Sequence, residues 1–377
     1  MSQETPEIKK GLVGVVVDET SVSKVMPDIN ALVYRGYPVQ ELADKCSFEE
    51  VAYLIWNDDL PTSSQLEVFE KQERANRDLS PELWDVISKM PKTAHPMDAV
   101  RTGVSFLGLE DERIWDNSPA TDQNKALLLM AKIPTITAAF YRHRKGEKPI
   151  KPDSSKSFSE NFFHMTFGEV PHADVVKAFD ASLVLYAEHS FNASTFTARV
   201  VASTTSDMYS SITAAIGALK GPLHGGANEQ VMHVLQEIGE VSKAKAWLDK
   251  ALAEKRKIMG FGHRVYRKGD SRAPTMNKYG LKVAAIMGES KWHDISEVLE
   301  KEMIEKKGIY PNLDFPAGPA YFLMGIDIDF FTPIFVMSRI TGWSAHVMEQ
   351  TAANRIIRPL SHYTGHPERK FKPIDAR

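Results

Sequence analysis

Apolar residues recur at three- and four-residue intervals through most of the chain, the spacing of helices that bury one face. The stretch 47–56, "SFEEVAYLIW", shows the pattern on a small scale. Ser47, with Glu50 three residues on, forms a capping box, and Val51, Leu54 and Ile55 then share a side. Ser80 and Pro81 open another helix, with a cap and a proline in the first turn. The same period predicts helices over 122–142, 172–188, 194–205, 208–219, 227–239, 242–257, 275–287, 293–306 and 330–353. Strand signals are few. The run "GLVGVVV" at 11–17 reads as a strand entering a hairpin, and "ALVYRGYPV" at 31–39 as a second strand. Lys9 and Lys10 before the first run imitate a secretory signal, but the run is short, Asp18 and Glu19 follow, and no small-residue cleavage site is present. Alternating strand–helix units are missing, which argues against a Rossmann or barrel fold. The pattern predicts a mostly α protein.

Composition refines this picture. At 377 residues the chain exceeds one ordinary core and suggests about two domains. Gly and Pro punctuation around 220–222 and near 311–319 suits the hinges of an inserted second domain. The chain is 43% hydrophobic and 25% charged, which fits a folded protein and not a disordered one. A net charge of -3 gives no general pull towards nucleic acid or an anionic membrane. The basic, Ser- and Pro-rich stretch 142–160 lacks interleaved aromatics and reads as a solvated loop. No apolar stretch reaches the ~18 residues of a membrane span. The single cysteine, Cys46, cannot form an intrachain disulfide, which suits a reducing compartment, and a cytoplasmic protein is expected.

The common chemical motifs are missing. There is no phosphate-binding G-x-x-x-x-G-K-[ST] and no H-E-x-x-H, "GFGHRV" is not G-x-G-x-x-G, and the histidines are not at metal spacing with cysteine. His362 and His366 lie in a tail with Gly and Pro and read as surface residues. Four stretches remain. "GPLHGGANE" (221–229) places His224 among three glycines, just before a helix whose buried stripe is Val231, Leu235 and Ile238. The helix dipole there disfavours imidazolium, and a neutral ring can donate to a developing oxyanion; a packed turn histidine is the alternative. "KRKIMGFGHRVYRKGDSR" (255–272) holds seven Lys or Arg against one Asp. Lys255, Arg256 and Lys257 suit the end of the preceding helix by dipole alone. Arg264, Arg267, Lys268 and Arg272 lie beyond it and could gather a polyanionic ligand. In "YPNLDFPAGPA" (310–320), Asp314 stands between Leu313 and Phe315 in a segment broken by prolines. It is either a base whose pKa the apolar flanks raise or a turn residue. In "AEHSFNASTFTARV" (187–200), His189 ends one helical pattern and Asn192 to Ser194 start the next, a corner that by itself reads as helix capping.

Together these segments, with "SRITGWSAH", "RIIRP" and "YRGYPVQELA", closely resemble the citrate synthase family, in the family's order and over nearly the whole chain. The last segment looks like the smaller bacterial and archaeal members. The resemblance implies a mostly helical homodimer with a large domain, 1–220 and 330–377, and an inserted small domain, 221–329, carrying the acyl-CoA site and catalytic loops. It implies the entry reaction of the tricarboxylic acid cycle, in which oxaloacetate condenses with the methyl carbon of acetyl-CoA and the thioester is hydrolysed to citrate and CoA. Asp314 then matches the base that removes the methyl proton, His224 the donor to the thioester oxygen, and His263 the residue that polarises and protonates the ketone. His189, Arg272, Arg339 and Arg358 match the oxaloacetate binders, Arg358 being assigned through "IIRP" and reaching the partner's site. Three guanidiniums suit a ligand with two carboxylates. Ser194 resembles a partner supporting His224, and Lys257, Ile258, Met259, Gly260 and Phe261 align with the loop that holds coenzyme A. The family needs no metal or redox cofactor, and neither nucleic acid nor membrane is a partner. 2-Methylcitrate synthases share these residues and use propionyl-CoA, so either or both activities fit. A non-catalytic CoA- or metabolite-binding protein on the same fold would need the basic loop but not the base.

Overall fold

Turn geometry decides where the few strands lie. In the computed structural model, which describes residues 7–377 except Arg264 and Arg267, β1 (Ser23–Met26) pairs antiparallel with β2 (Ala31–Tyr34), and β2 pairs with the short β3 (Tyr37–Pro38). Arg35 and Gly36 both have positive φ, 47° and 89°, as a tight two-residue hairpin requires. The stretch 31–39 is therefore two strands and a turn, not one strand. The expected strand at 11–17 does not form. Gly11 and Gly14 adopt left-handed φ of 63° and 73°, Lys10–Leu12 is a short 3-10 turn, and Val16 is 90% exposed. A strand needs a neighbour to take its backbone hydrogen bonds, and this run finds none among the described residues.

Helices fill the rest, and local chemistry writes most of their ends. α1 (Val39–Lys45), α2 (Phe48–Asn57), α3 (Ser63–Ala75), α4 (Pro81–Lys89) and α5 (Pro96–Leu109) follow the hairpin. Ser47 and Thr62 make capping boxes with Glu50 and Gln65, and Pro81 and Pro96 hold the first turns of α4 and α5. α6 (Pro119–Lys145) passes through Pro134 and extends beyond the 122–142 period at both ends. α7 (Phe158–Phe167), α8 (Ala173–Tyr186), α9 (Ala193–Ala202), α10 (Met208–Leu219) and α11 (Ala227–Ile238) come next. They are followed by α12 (Ala244–Ala253), α13 (Ala273–Met287), α14 (Lys291–Lys307), α15 (Asp314–Leu323) and α16 (Phe331–Ala352).

Two readings change here. α12 stops at Ala253, and Lys255 turns left-handed at φ 56°, so Lys255, Arg256 and Lys257 lie past the helix. Arg256 instead grips Glu237 of α11 with two bonds of 2.7 and 2.8 Å, so a carboxylate and not a dipole explains it. The proline-broken segment around Asp314 is helical from Asp314 onward, because Pro316 tolerates a first turn and buried Phe315, Ala317 and Tyr321 pack its face.

α16 is the spine: nearly every residue from Phe331 to Val347 is buried, against α6, α8, α9 and α10. α11, α13, α14 and α15 pack on one another, and α13 lies across α8. Lys278 and Tyr279 of α13 reach Asp44 of α1 at 2.9 Å, and Gln40 of α1 donates to the Ser271 carbonyl at 2.9 Å. Among the described residues no helix is long and apolar enough to cross a membrane.

Candidate active site

The corner between α8 and α9 meets α16. Asn192 caps α9 by accepting from the Thr195 amide, and Ser190 takes a left-handed φ of 49°. His189 is 7% exposed, and its Nε2 has no partner among the described residues. Burial, reinforced by Arg272, pushes its pKa well below the usual histidine range, so the ring is neutral. Arg339 of α16 is 1% exposed; its Nε donates to the Tyr186 carbonyl at 2.6 Å, and its guanidinium lies 4.7 Å from the Phe335 ring centre.

His224 stands three residues before α11. Its Nε2 accepts from the Ser194 amide at 3.3 Å and lies 2.8 Å from the Ser194 hydroxyl, which Trp343 Nε1 also engages at 3.0 Å. A backbone donor on Nε2 places the neutral ring's proton on Nδ1. Its pKa falls to about 3, chiefly through burial and secondarily through Arg339. The ring is neutral as expected from sequence, but solvent exclusion rather than the helix dipole is the main cause. Gly225 explains one glycine of the turn: a Cβ there would fall 2.6 Å from the Leu219 side chain and 2.8 Å from its carbonyl.

The loop 257–263 runs beside 309–314. Gly262 donates to the Tyr310 carbonyl at 2.8 Å, Asn312 donates to the Gly260 carbonyl at 2.9 Å, and the Asn312 side chain reaches the Gly262 carbonyl at 3.0 Å. Gly260 is required here: φ is 82°, and a Cβ would meet Val231 at 2.6 Å and Phe315 at 2.9 Å. Lys257 is exposed, Ile258 and Gly260 are buried, and Met259 and Phe261 are half-buried. His263 follows, with Nδ1 accepting from the amides of Val265 and Tyr266 at 3.0 and 3.2 Å, so the neutral ring carries its proton on Nε2. Burial lowers its pKa to about 4, against the opposing pull of Asp270. The rings of His189 and His263 are 4.9 Å apart.

Arg272 makes a bidentate pair with Asp270, at 2.9 and 2.7 Å, and donates to the Leu185 carbonyl at 3.3 Å. Asp270 also accepts from the Leu313 amide at 3.2 Å, which ties the arginine to the residue before Asp314. Asp314 accepts from the Tyr186 hydroxyl at 2.8 Å. Burial raises its pKa to about 6, although the Tyr186 bond and Arg272 hold it down.

The structure thus gathers His189, His224, His263, Arg272, Asp314, Arg339 and Ser194 through shared neighbours. It does not bring Arg358 to them: that side chain is exposed and, among the described residues, bonds only to the Pro359 carbonyl at 3.4 Å. Arg264 and Arg267, expected to help gather a polyanion, lie outside the described residues. Lys268 lies past Tyr266 in the same loop. Sequence reading missed Tyr186, Asp270, Phe335 and Trp343. Asp270 had a faint signal in "GDSR", an acid two residues from Arg272; the others look like ordinary helix core until their contacts are known.

Comparison with known proteins places the whole chain in a family. Residues 11–360 match the family model described as citrate synthase, C-terminal domain. The chain is 57% identical to a 2-methylcitrate synthase of Mycobacterium tuberculosis, covering 97% of this chain and 93% of the relative, and 56% identical to a citrate synthase of Mycolicibacterium smegmatis, covering 98% of each. The ternary complex of citrate synthase from Thermoplasma acidophilum with carboxymethyl coenzyme A and oxaloacetate superposes with a TM-score of 0.93 at 33% identity, over 98% of this chain and 100% of that one. The citrate synthase of Pyrobaculum aerophilum gives 0.91 at 38% identity, over 98% and 95%. The chain belongs to the citrate synthase family.

Proposed function

We propose that the protein condenses oxaloacetate with acetyl-CoA and hydrolyses the product to citrate and CoA, the entry reaction of the tricarboxylic acid cycle. The observation that carries the chemistry is the pair of opposed tautomers beside a raised carboxyl. His224 keeps a proton on Nδ1 and His263 keeps one on Nε2, both rings being neutral, while Asp314 titrates near 6. Asp314 removes a methyl proton from the thioester. The enolate oxygen takes a hydrogen bond from His224 Nδ1–H, a donor already in place as charge develops. The enolate carbon attacks the ketone carbon of oxaloacetate, and the alkoxide takes the proton of His263 Nε2. Water then adds to the citryl thioester carbonyl and the C–S bond breaks. Of the two water protons and the one held by Asp314, one goes to the departing thiolate, one restores His263 Nε2 and one leaves to solvent. A carboxylate, the thiol of CoA and both starting side chains result. His189, Arg272, Arg339 and Arg358 of the partner subunit hold the two carboxylates, and the loop from Lys257 to Phe261 holds the coenzyme. No metal or redox cofactor enters this scheme, which neither changes an oxidation state nor leaves a charge without a partner group.

In this reading the chain is a homodimer. Residues 221–329 form the small domain, and 1–220 with 330–377 form the large one. The internal packing of α11, α13, α14 and α15 supports that division.

Propionyl-CoA is the second donor to consider, because relatives carrying the two names stand at 57% and 56% identity. One methylene discriminates by only ~1–3 kcal/mol. Turnover with both donors is expected, and kcat/KM for acetyl-CoA and propionyl-CoA with oxaloacetate measures the preference. No turnover with either donor would end the reading.

A further inference from the structure

One face of α16 presents Arg339, Gly342 and His346, spaced three and four residues apart, to the corner between α8 and α9. The carboxylate of Glu188 fills the notch in the middle of that stripe. A Cβ on Gly342 would lie 2.1 Å from Glu188 Oε2 and 2.6 Å from the Ala187 carbonyl. Glu188 and His346 are fully buried. Glu188 Oε1 accepts from Ser23 Oγ and lies against His346 Nε2, each at 2.9 Å, whereas Oε2 has no hydrogen-bond partner among the described residues. On the far side of its ring, His346 Nδ1 faces Arg199 at 3.3 Å and Glu349 at 3.6 Å. Burial raises the Glu188 pKa, but the neighbouring His346 and then Arg339 outweigh it, so the group remains an anion.

The reaction outlined above gives this buried anion no task, and burying one is costly. The two cleft arginines also differ in their counter-ions. Arg272 owns Asp270 at 2.7 Å, whereas Arg339 makes no ion pair within 4 Å among the described residues. Burial lowers Arg339 to about 10, and Glu188 is the largest influence opposing that fall.

We propose that Glu188 is a positioning residue acting through Arg339: a resident anion that partly offsets the guanidinium and keeps oxaloacetate binding weaker than the bare arginines would make it. The proposal rests on the oxaloacetate reading of the site. Substrate carboxylate and Glu188 are like charges sharing one guanidinium in a poorly screened interior, so each weakens the other's hold. A citrate product with three carboxylates leaves more readily from a site so tempered.

The wild-type protein is first assayed with oxaloacetate and both acyl donors; absence of turnover there defeats the functional reading and not this inference. Glu188→Gln is then compared. The amide keeps an acceptor for Ser23 and His346, and its nitrogen replaces an oxygen that accepts nothing. KM for oxaloacetate is expected to fall, on the order of three- to tenfold for a nearby like charge partly offset by His346. KM for acyl-CoA stays put and kcat drops as product release slows. The ligand-free protein melts lower, with the deficit shrinking at saturating oxaloacetate. A merely structural role gives the opposite sign, with KM rising as the melting temperature falls, and that result or an unchanged KM overturns the proposal. Should Glu188→Gln not fold, His346→Gln tests the same point by another route. It removes the group that chiefly keeps Glu188 ionised, burial then favours the neutral carboxyl, and KM for oxaloacetate is expected to fall as it does for Glu188→Gln; a rise or no change overturns the proposal.

Discussion

The two halves of the cleft are built differently. On one side, His189, Arg339 and Ser194 sit on or between packed helices, and burial sets their properties. On the other, His224, His263, Arg272 and Asp314 sit on turns or at helix starts, beside glycines with φ of 82°, 80° and 97° at positions 260, 262 and 269. On this second side backbone groups do the orienting: amides of Val265 and Tyr266 hold His263, and the Leu313 amide bonds Asp270 beside the base. In the proposed reaction His189 and Arg339 offer oxaloacetate a rigid hold, because a packed helix has few alternative positions, and only Arg272 among this chain's cleft binders comes from the loop side. The groups proposed to handle protons are placed by loops, because a tautomer is chosen by whichever backbone group faces the ring.

Three changes would sharpen or break that contrast. The largest effect is expected from Asp314→Asn. It should leave oxaloacetate affinity, measured by calorimetry, within a few-fold of wild type, while kcat falls by about 10³ as the base is removed. A near-normal kcat would make Asp314 a structural helix start and favour the non-catalytic reading.

The next concerns Arg358, which neither side supplies within one chain. Asp314→Asn and Arg358→Leu are each expected to be nearly inactive as homodimers. Unfolded and refolded together, about half the dimers are mixed, and each mixed dimer has one intact site if Arg358 serves the partner. Activity should return to roughly a quarter of wild type. A mixture as inactive as its parents, with mixed dimers confirmed by native mass spectrometry, rules out the shared site.

The smallest effect is a shift in pH dependence. In the proposed role Asp314 can act as a base only when ionised, so kcat/KM should fall tenfold per pH unit once pH drops below about 6. The Tyr186 hydroxyl lowers that pKa by donating to the ionised form, so Tyr186→Phe removes a stabiliser of the anion and should move the acid limb upward. The rate at pH 8 should change by only a few-fold. An acid limb that stays in place would mean that Asp314 is not the group titrating in the rate.

Much of this protein was legible without coordinates, because helix caps and apolar period are local. Ser47 with Glu50, Ser80 with Pro81, and the Val231, Leu235, Ile238 stripe all behave as their spacing implies. The family was legible because its site segments are short, ordered and unusual in wording. α1, α3, α5 and α7 escaped notice. α1 is only seven residues long, α3 buries just Phe69 and Glu73, and α7 begins inside the stretch 142–160 that reads as a loop. α5 escaped although it buries Val100, Val104 and Leu107 on one face. The run at 11–17 misled because a strand is a property of two segments, and periodicity describes one. Tertiary structure alone decided which nitrogen of His224 and His263 bears the proton, since that depends on amides of residues the ring meets only after folding. It alone gave Arg272 a paired counter-ion, left Arg339 with no ion pair within 4 Å among the described residues, and seated Glu188 against Gly342. Charge states in a cleft are fixed by burial and by neighbours distant in sequence, Tyr186 and Asp314 being 128 residues apart, and no local pattern carries that information.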